Sequence, residues 1–265
     1  MRGVSEVGGM TQQQTLQRML VRLGIPREGV LLVHSAFKGF AREGYDPLTV
    51  LQVLADYMHP GTLLMPTMSW RYVKPNHPYF NELTTPSNTG ILTEIFRQRY
   101  ATYRSLHPTH SVSGMGKNLP DILGTHAHCV TPCGADSPFA KLIHYDASIL
   151  MLGVGVDCCT LIHHVEEMVA PDYYVRSVRD IESYSCQDRS GKVATVHLRR
   201  HLFLPRNYWQ FQDELARQGE LVVFRCDNAI CLGFSARKLY HRVNDVLQKC
   251  PDAIIAKPGQ RYRLM

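Results

Sequence analysis

His163 and Glu166 stand three residues apart in Leu161-Ile162-His163-His164-Val165-Glu166-Glu167, and His164 and Glu167 repeat that spacing one step on. On a helix, residues three apart share a face. A carboxylate beside an imidazole raises its basicity and orients its ring, which makes a general base that works near neutral pH. Spacing alone leaves both His–Glu pairs open, and equally leaves open an exposed helix face carrying polar pairs. The preceding run, Ser148-Ile149-Leu150-Met151-Leu152, ends in Gly153-Val154-Gly155-Val156-Asp157. It reads as a buried strand, 148–154, with a tight loop at its carboxyl end. In open α/β sheets, ligands bind at such edges.

Other chemistries are weaker. The chain has 13 histidines. His107 with His110, His126 with His128, and one His–Glu pair would have to converge to make a three-ligand zinc centre. No HExxH occurs and Pro108 restricts His107, so no metal is expected. Cys158 and Cys159 precede the histidine helix, where a thiol's pKa can be depressed, but burial is the commoner fate of a free cysteine. The 8 cysteines form no CxxC pair and no regular framework, so reduced thiols and a cytoplasmic location are expected. The opening MRGVSEVGGM lacks the apolar core of a signal peptide. No Walker loop, GxGxxG or GxSxG is present, which argues against a P-loop, a dinucleotide fingerprint and a hydrolase serine elbow. The net charge of +6 comes from dispersed positive residues without interleaved aromatics. That pattern suits a phosphorylated small molecule better than nucleic acid, and no apolar run is long enough to span a membrane.

The elements that must position these groups follow from period and punctuation. Thr11 and Gln14 have capping-box spacing, Leu16, Met19, Leu20 and Leu23 form an apolar stripe, and Gly24 stands where a helix stops. Strand 30–34, a helix from Pro47 through Met58, and strand 62–67 follow. Residues 70–90 read as an aromatic-rich loop of the kind that shapes a pocket. Helices are expected at 91–100 and 138–145, then strand 148–154 and the histidine helix. Segments 179–185, 193–198, 221–227 and 229–234 read as an antiparallel set, with Asp227-Asn228 as a hairpin turn. Helices at 205–218 and 235–249 complete the chain. The expectation is α/β: a single compact domain over 1–265, with a central mixed sheet flanked by helices and an antiparallel portion in the C-terminal third.

Five segments in order resemble the aminoglycoside 3-N-acetyltransferase family. Val33-His34-Ser35-Ala36-Phe37 is similar to VHxS(L/F), and Gly61–Thr67 to GTLxMPT. His107-Pro108-Thr109-His110-Ser111-Val112 is similar to HPxxSV, and Asp136-Ser137-Pro138-Phe139 to (D/G)SPF. Leu152 through Glu166 is similar to LLGVxxxxxTxLHxxE. The resemblance spans residues 30 to about 170, and the final third is alike only in general terms.

The resemblance implies an N-acetyltransferase that moves an acetyl group from acetyl-CoA to a small-molecule amine, an aminoglycoside or a biosynthetic amine. It assigns His163 as general base and Glu166 as its orienter. It places Ser35, Ala36, Phe37, His107, Ser111, Val112, Ser137 and Phe139 along a coenzyme A cleft. Trp70, Arg71 and Glu167 are the substrate-side candidates. Local capping is an alternative role for His107, Ser111 and Ser137. Family members tend to carry an Asp after the Trp that follows the second strand, whereas here Arg71 and Lys74 make that segment positive. An acidic or phosphate-bearing amine suits it better. A metal-dependent amide hydrolase, a non-catalytic coenzyme A-binding relative, a longer or carrier-bound acyl donor and a homodimer stay open.

Overall fold

The computed structural model describes residues 10–265. The reading of the opening segment as free of a leader rests mostly on residues 1–9, which lie outside the described residues.

A seven-stranded mixed sheet forms the centre. Its strands are β1 (Val30–Ser35), β2 (Thr62–Pro66), β3 (Tyr103–Arg104), β4 (Val112–Gly116), β5 (Ser148–Leu152), β6 (Val222–Cys226) and β7 (Ala229–Ser235), in the order β6-β7-β5-β1-β2-β4-β3. β1 is parallel to both β2 and β5. The flanking strands are antiparallel. The near-continuous apolar character of β1, β2 and β5 is what burial on both faces requires. Side chains alternate accordingly. Leu31, Val33, Leu63, Met65, Leu150 and Leu152 pack on one side, with helices Gln12–Arg22, Pro47–Met58 and Ile91–Arg99. Leu32, Leu64, Ile149 and Met151 pack on the other, with Pro138–His144, the histidine helix Leu161–Val169, Trp209–Arg217 and Ala236–Lys249. Each such side chain, fully removed from water, contributes about 1.5–3 kcal/mol.

The expected helix start is present: Thr11 Oγ1 accepts from Gln14 N (3.2 Å), and Gln14 Oε1 accepts from Thr11 N (2.9 Å). Asp227-Asn228 forms the β6–β7 turn, with Asp227 at φ 52 and Cys226 paired to Ala229. The expected antiparallel set divides between two sheets. β6 and β7 join the central sheet, while Glu182–Gln187 pairs antiparallel with Val193–Leu198 and parallel with Tyr79–Asn81, a strand inside the expected 70–90 loop. That small sheet covers its own apolar cluster of Phe80, Tyr184, Val196 and Leu198. The helix expected from 205 begins at Trp209, because Pro205–Arg206 pairs instead with Arg263–Leu264. Among the described residues, no helix is long and apolar enough to cross a membrane.

Because β5, β1 and β2 run parallel, their carboxyl ends open onto one edge. Gly153 sets the approach of the first two. It has φ +73, and a Cβ there would lie 2.7 Å from the Ala36 carbonyl oxygen. Gly153→Ala is therefore expected to cost about 1–3 kcal/mol through forced left-handed backbone and this clash. Urea titration measures it, and an unshifted midpoint contradicts the close approach.

Candidate active site

A cleft of about 1020 Å³ opens at that strand edge. Ser35, Ala36 and Phe37 line it from the end of β1, Trp70 and Arg71 from beyond β2, and Thr160 and His163 from the histidine helix. His163 is otherwise almost enclosed, at 8% exposure.

The His163 ring is oriented by one buried network. Its Nδ1 lies 2.8 Å from Glu166 Oε2 and 2.8 Å from the Tyr208 hydroxyl. Tyr208 in turn donates to Glu166 Oε1 at 2.9 Å. Arg206 donates through Nε to both Glu166 oxygens, at 3.0 and 3.2 Å. Burial alone would raise the Glu166 pKa, but the His163 and Arg206 charges and the His163 hydrogen bond hold it down, at about 2. Glu166 is thus an ionised acceptor at neutral pH, so the proton between it and the ring belongs to Nδ1. Nε2 keeps its lone pair on the side of the ring that faces the cleft.

A second pair lies behind the first. The His201 ring stacks on His163, with centroids 4.2 Å apart, and its Nε2 is 2.6 Å from Glu167 Oε1. Glu167 also accepts from the Cys133 backbone N–H through both oxygens. Burial pushes Glu167 up to about 7 and holds His201 well below its usual range. Spacing had paired Glu167 with His164. Instead, the His164 Nδ1 is 2.7 Å from the Cys133 carbonyl. Glu167 is 4% exposed and does not line the cleft, so its expected substrate contact is corrected to an internal clamp on His201 and the Cys133 loop.

The structure also moves five expected coenzyme A contacts. His107, Ser111, Val112, Ser137 and Phe139 are each 0% exposed and lie behind the cleft wall. His107 Nδ1 accepts from the backbone N–H of Thr109 and His110. The Ser111 hydroxyl donates to the Thr67 carbonyl, Val112 pairs with Pro66, and Ser137 caps the helix at Ala140. Phe139 belongs to the core. Their work is to hold the wall, and no ligand contact is assigned to them. Lys74 does not line the cleft either.

Sequence reasoning did not reach His34, Asn88, Arg200, His201, Phe203, Tyr208 or Arg263, all of which line the cleft. His34 stands inside a quoted motif and Asn88 inside the loop 70–90 expected to shape a pocket, but neither is singled out by sequence. Burial lowers His34 to about 4, and its Nε2 has no partner.

For a metal, Cys133, Glu167 and His201 form the grouping found among the described residues, with donor atoms within 4.8 Å of one another. Burial and the Glu167 charge hold the Cys133 thiol well above its ordinary range, away from the thiolate. Glu167 and His201 already satisfy each other. His126 is spent on Ser105 Oγ and the Pro132 carbonyl. The buried thiols Cys129 and Cys159 are likewise raised, to about 12, chiefly by burial.

A sequence model of the family described as aminoglycoside 3-N-acetyltransferase matches residues 32–248. Aminoglycoside N(3)-acetyltransferase IV of Salmonella sp. is 31% identical over 157 residues, 59% of this chain and 59% of that protein. Aminoglycoside N(3)-acetyltransferase VII of Streptomyces paromomycinus is 26% identical over 178 residues, 60% of this chain and 62% of that protein. The matched stretches span about six tenths of these relatives' lengths. Among solved structures, aminoglycoside acetyltransferase AAC(3)-IVa as apoenzyme superposes with a TM-score of 0.74 at 23% identity, covering 94% of each chain. AAC-IIIb in binary complex with CoASH gives 0.77 at 21%, covering 95% of this chain and all of that one. The YokD protein from Bacillus subtilis gives 0.76 at 21%, covering 95% and 98%. These likenesses establish the fold.

Proposed function

The chain belongs to the aminoglycoside 3-N-acetyltransferase family, and on that premise we propose that it transfers an acetyl group from acetyl-CoA to the amine of a small molecule. One observation carries the proposal: the His163 ring, held through Nδ1 by Glu166, turns its free nitrogen toward a cleft large enough for two ligands. The cleft pairs exposed apolar side chains such as Phe203 and Ile91 with the cations Lys38, Arg200 and Arg263. That mixture suits a pantetheine arm and phosphates. CoASH occupies a solved relative of the same fold.

A protonated amine has no lone pair with which to attack. His163 Nε2 takes the ammonium proton and releases it to solvent, and as the freed lone pair adds to the thioester carbonyl carbon Nε2 takes a second proton from the same nitrogen. As the tetrahedral adduct collapses, the C–S bond breaks, the sulfur takes the proton back from His163, and amide and free thiol leave. Glu166 stays ionised and stabilises the transient imidazolium. Both substrates share the cleft, so attack is direct and needs no acyl-enzyme.

Mixing the protein with acetyl-CoA and a panel of primary amines, with free thiol as readout, tests this. Amine-dependent thiol release is expected. Coenzyme A stabilisation in a thermal-shift assay without any such release identifies a binding protein instead and overturns the proposal.

A further inference from the structure

Among the described residues, the cleft is lined by the cations Lys38, Arg71, Arg200 and Arg263 and by no Asp or Glu side chain. Arg200 is matched by Glu182 and Arg263 by Asp157. Among the described residues, neither Lys38 nor Arg71 has such a match, and Arg71 stands at the Trp70 edge. Its guanidinium lies over the Trp70 indole, 5.2 Å from the ring centroid, a surface that orients the planar fork without neutralising it.

Asn88 completes this edge. The Arg71 backbone N–H donates to Asn88 Oδ1 at 3.1 Å, which fixes which way the amide faces. The remaining atom, Nδ2, is purely a donor. It is buried without a partner, in a residue that lines the cleft. A buried donor left unpaired is costly, and a ligand oxygen relieves the cost. The Arg71 guanidinium presents a forked donor to the oxygens of an anionic group, and Asn88 stands next to it in the cleft lining. A polycationic acceptor would meet like charge on this edge and, among the described residues, no Asp or Glu side chain of the lining to pair with.

We infer that the Trp70–Arg71–Asn88 edge binds a carboxylate or phosphate of the acyl acceptor, so that the acceptor is an amine carrying an anionic group and not a polycation. The inference rests on the acyl-transfer reading and names its acceptor class. Phosphates of the thioester donor are the other source of such oxygens, and the test separates the two.

Three amino sugars graded by charge serve as probes: glucosamine 6-phosphate, glucosamine and kanamycin. Thiol release at saturating acetyl-CoA should give glucosamine 6-phosphate a kcat/KM about tenfold or more above glucosamine, with kanamycin lowest. Arg71→Glu should remove that preference through the acceptor's KM while leaving the KM of acetyl-CoA unchanged. Kanamycin matching or exceeding the phosphate sugar overturns the inference. So does an Arg71→Glu effect confined to the KM of acetyl-CoA, which assigns the edge to the donor. If no amine releases thiol, the transfer reading fails, and calorimetry on the coenzyme A-saturated protein decides the edge by itself. Tighter binding of glucosamine 6-phosphate than of glucosamine, lost in Arg71→Glu and in Asn88→Ala, supports it, and equal binding overturns it.

Discussion

Replacing His163 by alanine should lower kcat by about a hundredfold or more, with coenzyme A affinity nearly unchanged. The ring contributes little area to a cleft of this size, so binding depends on other side chains. In the proposed mechanism proton removal depends on Nε2 alone, because Nδ1 is committed to Glu166 and Tyr208. The variant must draw on whatever free amine the solvent supplies. Below the amine's own pKa that fraction rises about tenfold per pH unit, so the deficit should shrink steadily as pH increases. Steady-state rates from pH 6 to 9 and calorimetric coenzyme A titrations check both halves. Near-normal turnover at neutral pH refutes the assigned role, and a parallel loss of coenzyme A binding shows a structural effect instead.

What the chain reveals without coordinates has a physical boundary. The parallel strands were legible because burial on both faces demands continuous apolar runs, and the His163–Glu166 pair because three residues on a helix fix a geometry. Long-range partners left no periodic trace. Arg206 and Tyr208 sit beyond the irregular turn Leu202–Leu204, and their meeting with Glu166 is made by tertiary packing across 40 and 42 residues. The second His–Glu pair shows the same limit. Spacing allowed His164–Glu167, but the Cys133 loop lies against that face, takes the Glu167 carboxylate with its N–H and faces His164 with its carbonyl. The buried wall shows the converse. His107, Ser111 and Ser137 matched family motifs, yet their hydrogen bonds cap and brace loops that the cleft requires. A motif marks residues that a site needs, and that includes groups whose hydrogen bonds brace its wall from behind.

Arg206→Met should destabilise the fold by about 3–5 kcal/mol, because it leaves a buried carboxylate without its main cation. Both partners are 0% exposed, and Arg206 also donates to the Leu202 carbonyl at 2.9 Å while its guanidinium lies over Tyr174. Methionine keeps the apolar stem and removes the charge. The sign with pH follows from Glu166. In the native protein its pKa lies below the ordinary 4.5, at about 2, so ionisation contributes stability that is fully present above pH 4.5 and is lost as pH falls toward 2. Without Arg206 burial acts against the charge with less to oppose it and the folded-state pKa rises, so that contribution shrinks or reverses. The deficit of the variant should therefore be largest at neutral pH and narrow as the pH is lowered. Urea midpoints at pH 7 and pH 3 measure it, and a deficit that is the same at both contradicts the ion pair as the cause. Glu166→Gln added to Arg206→Met should recover part of the loss, giving a coupling of about 0.5–3 kcal/mol in a double-mutant cycle. Turnover should not recover with it, because glutamine offers His163 Nδ1 a neutral acceptor and no charge to stabilise the imidazolium. Stability and catalysis then separate at a single side chain, as they must if one carboxylate serves both the buried pair and the base.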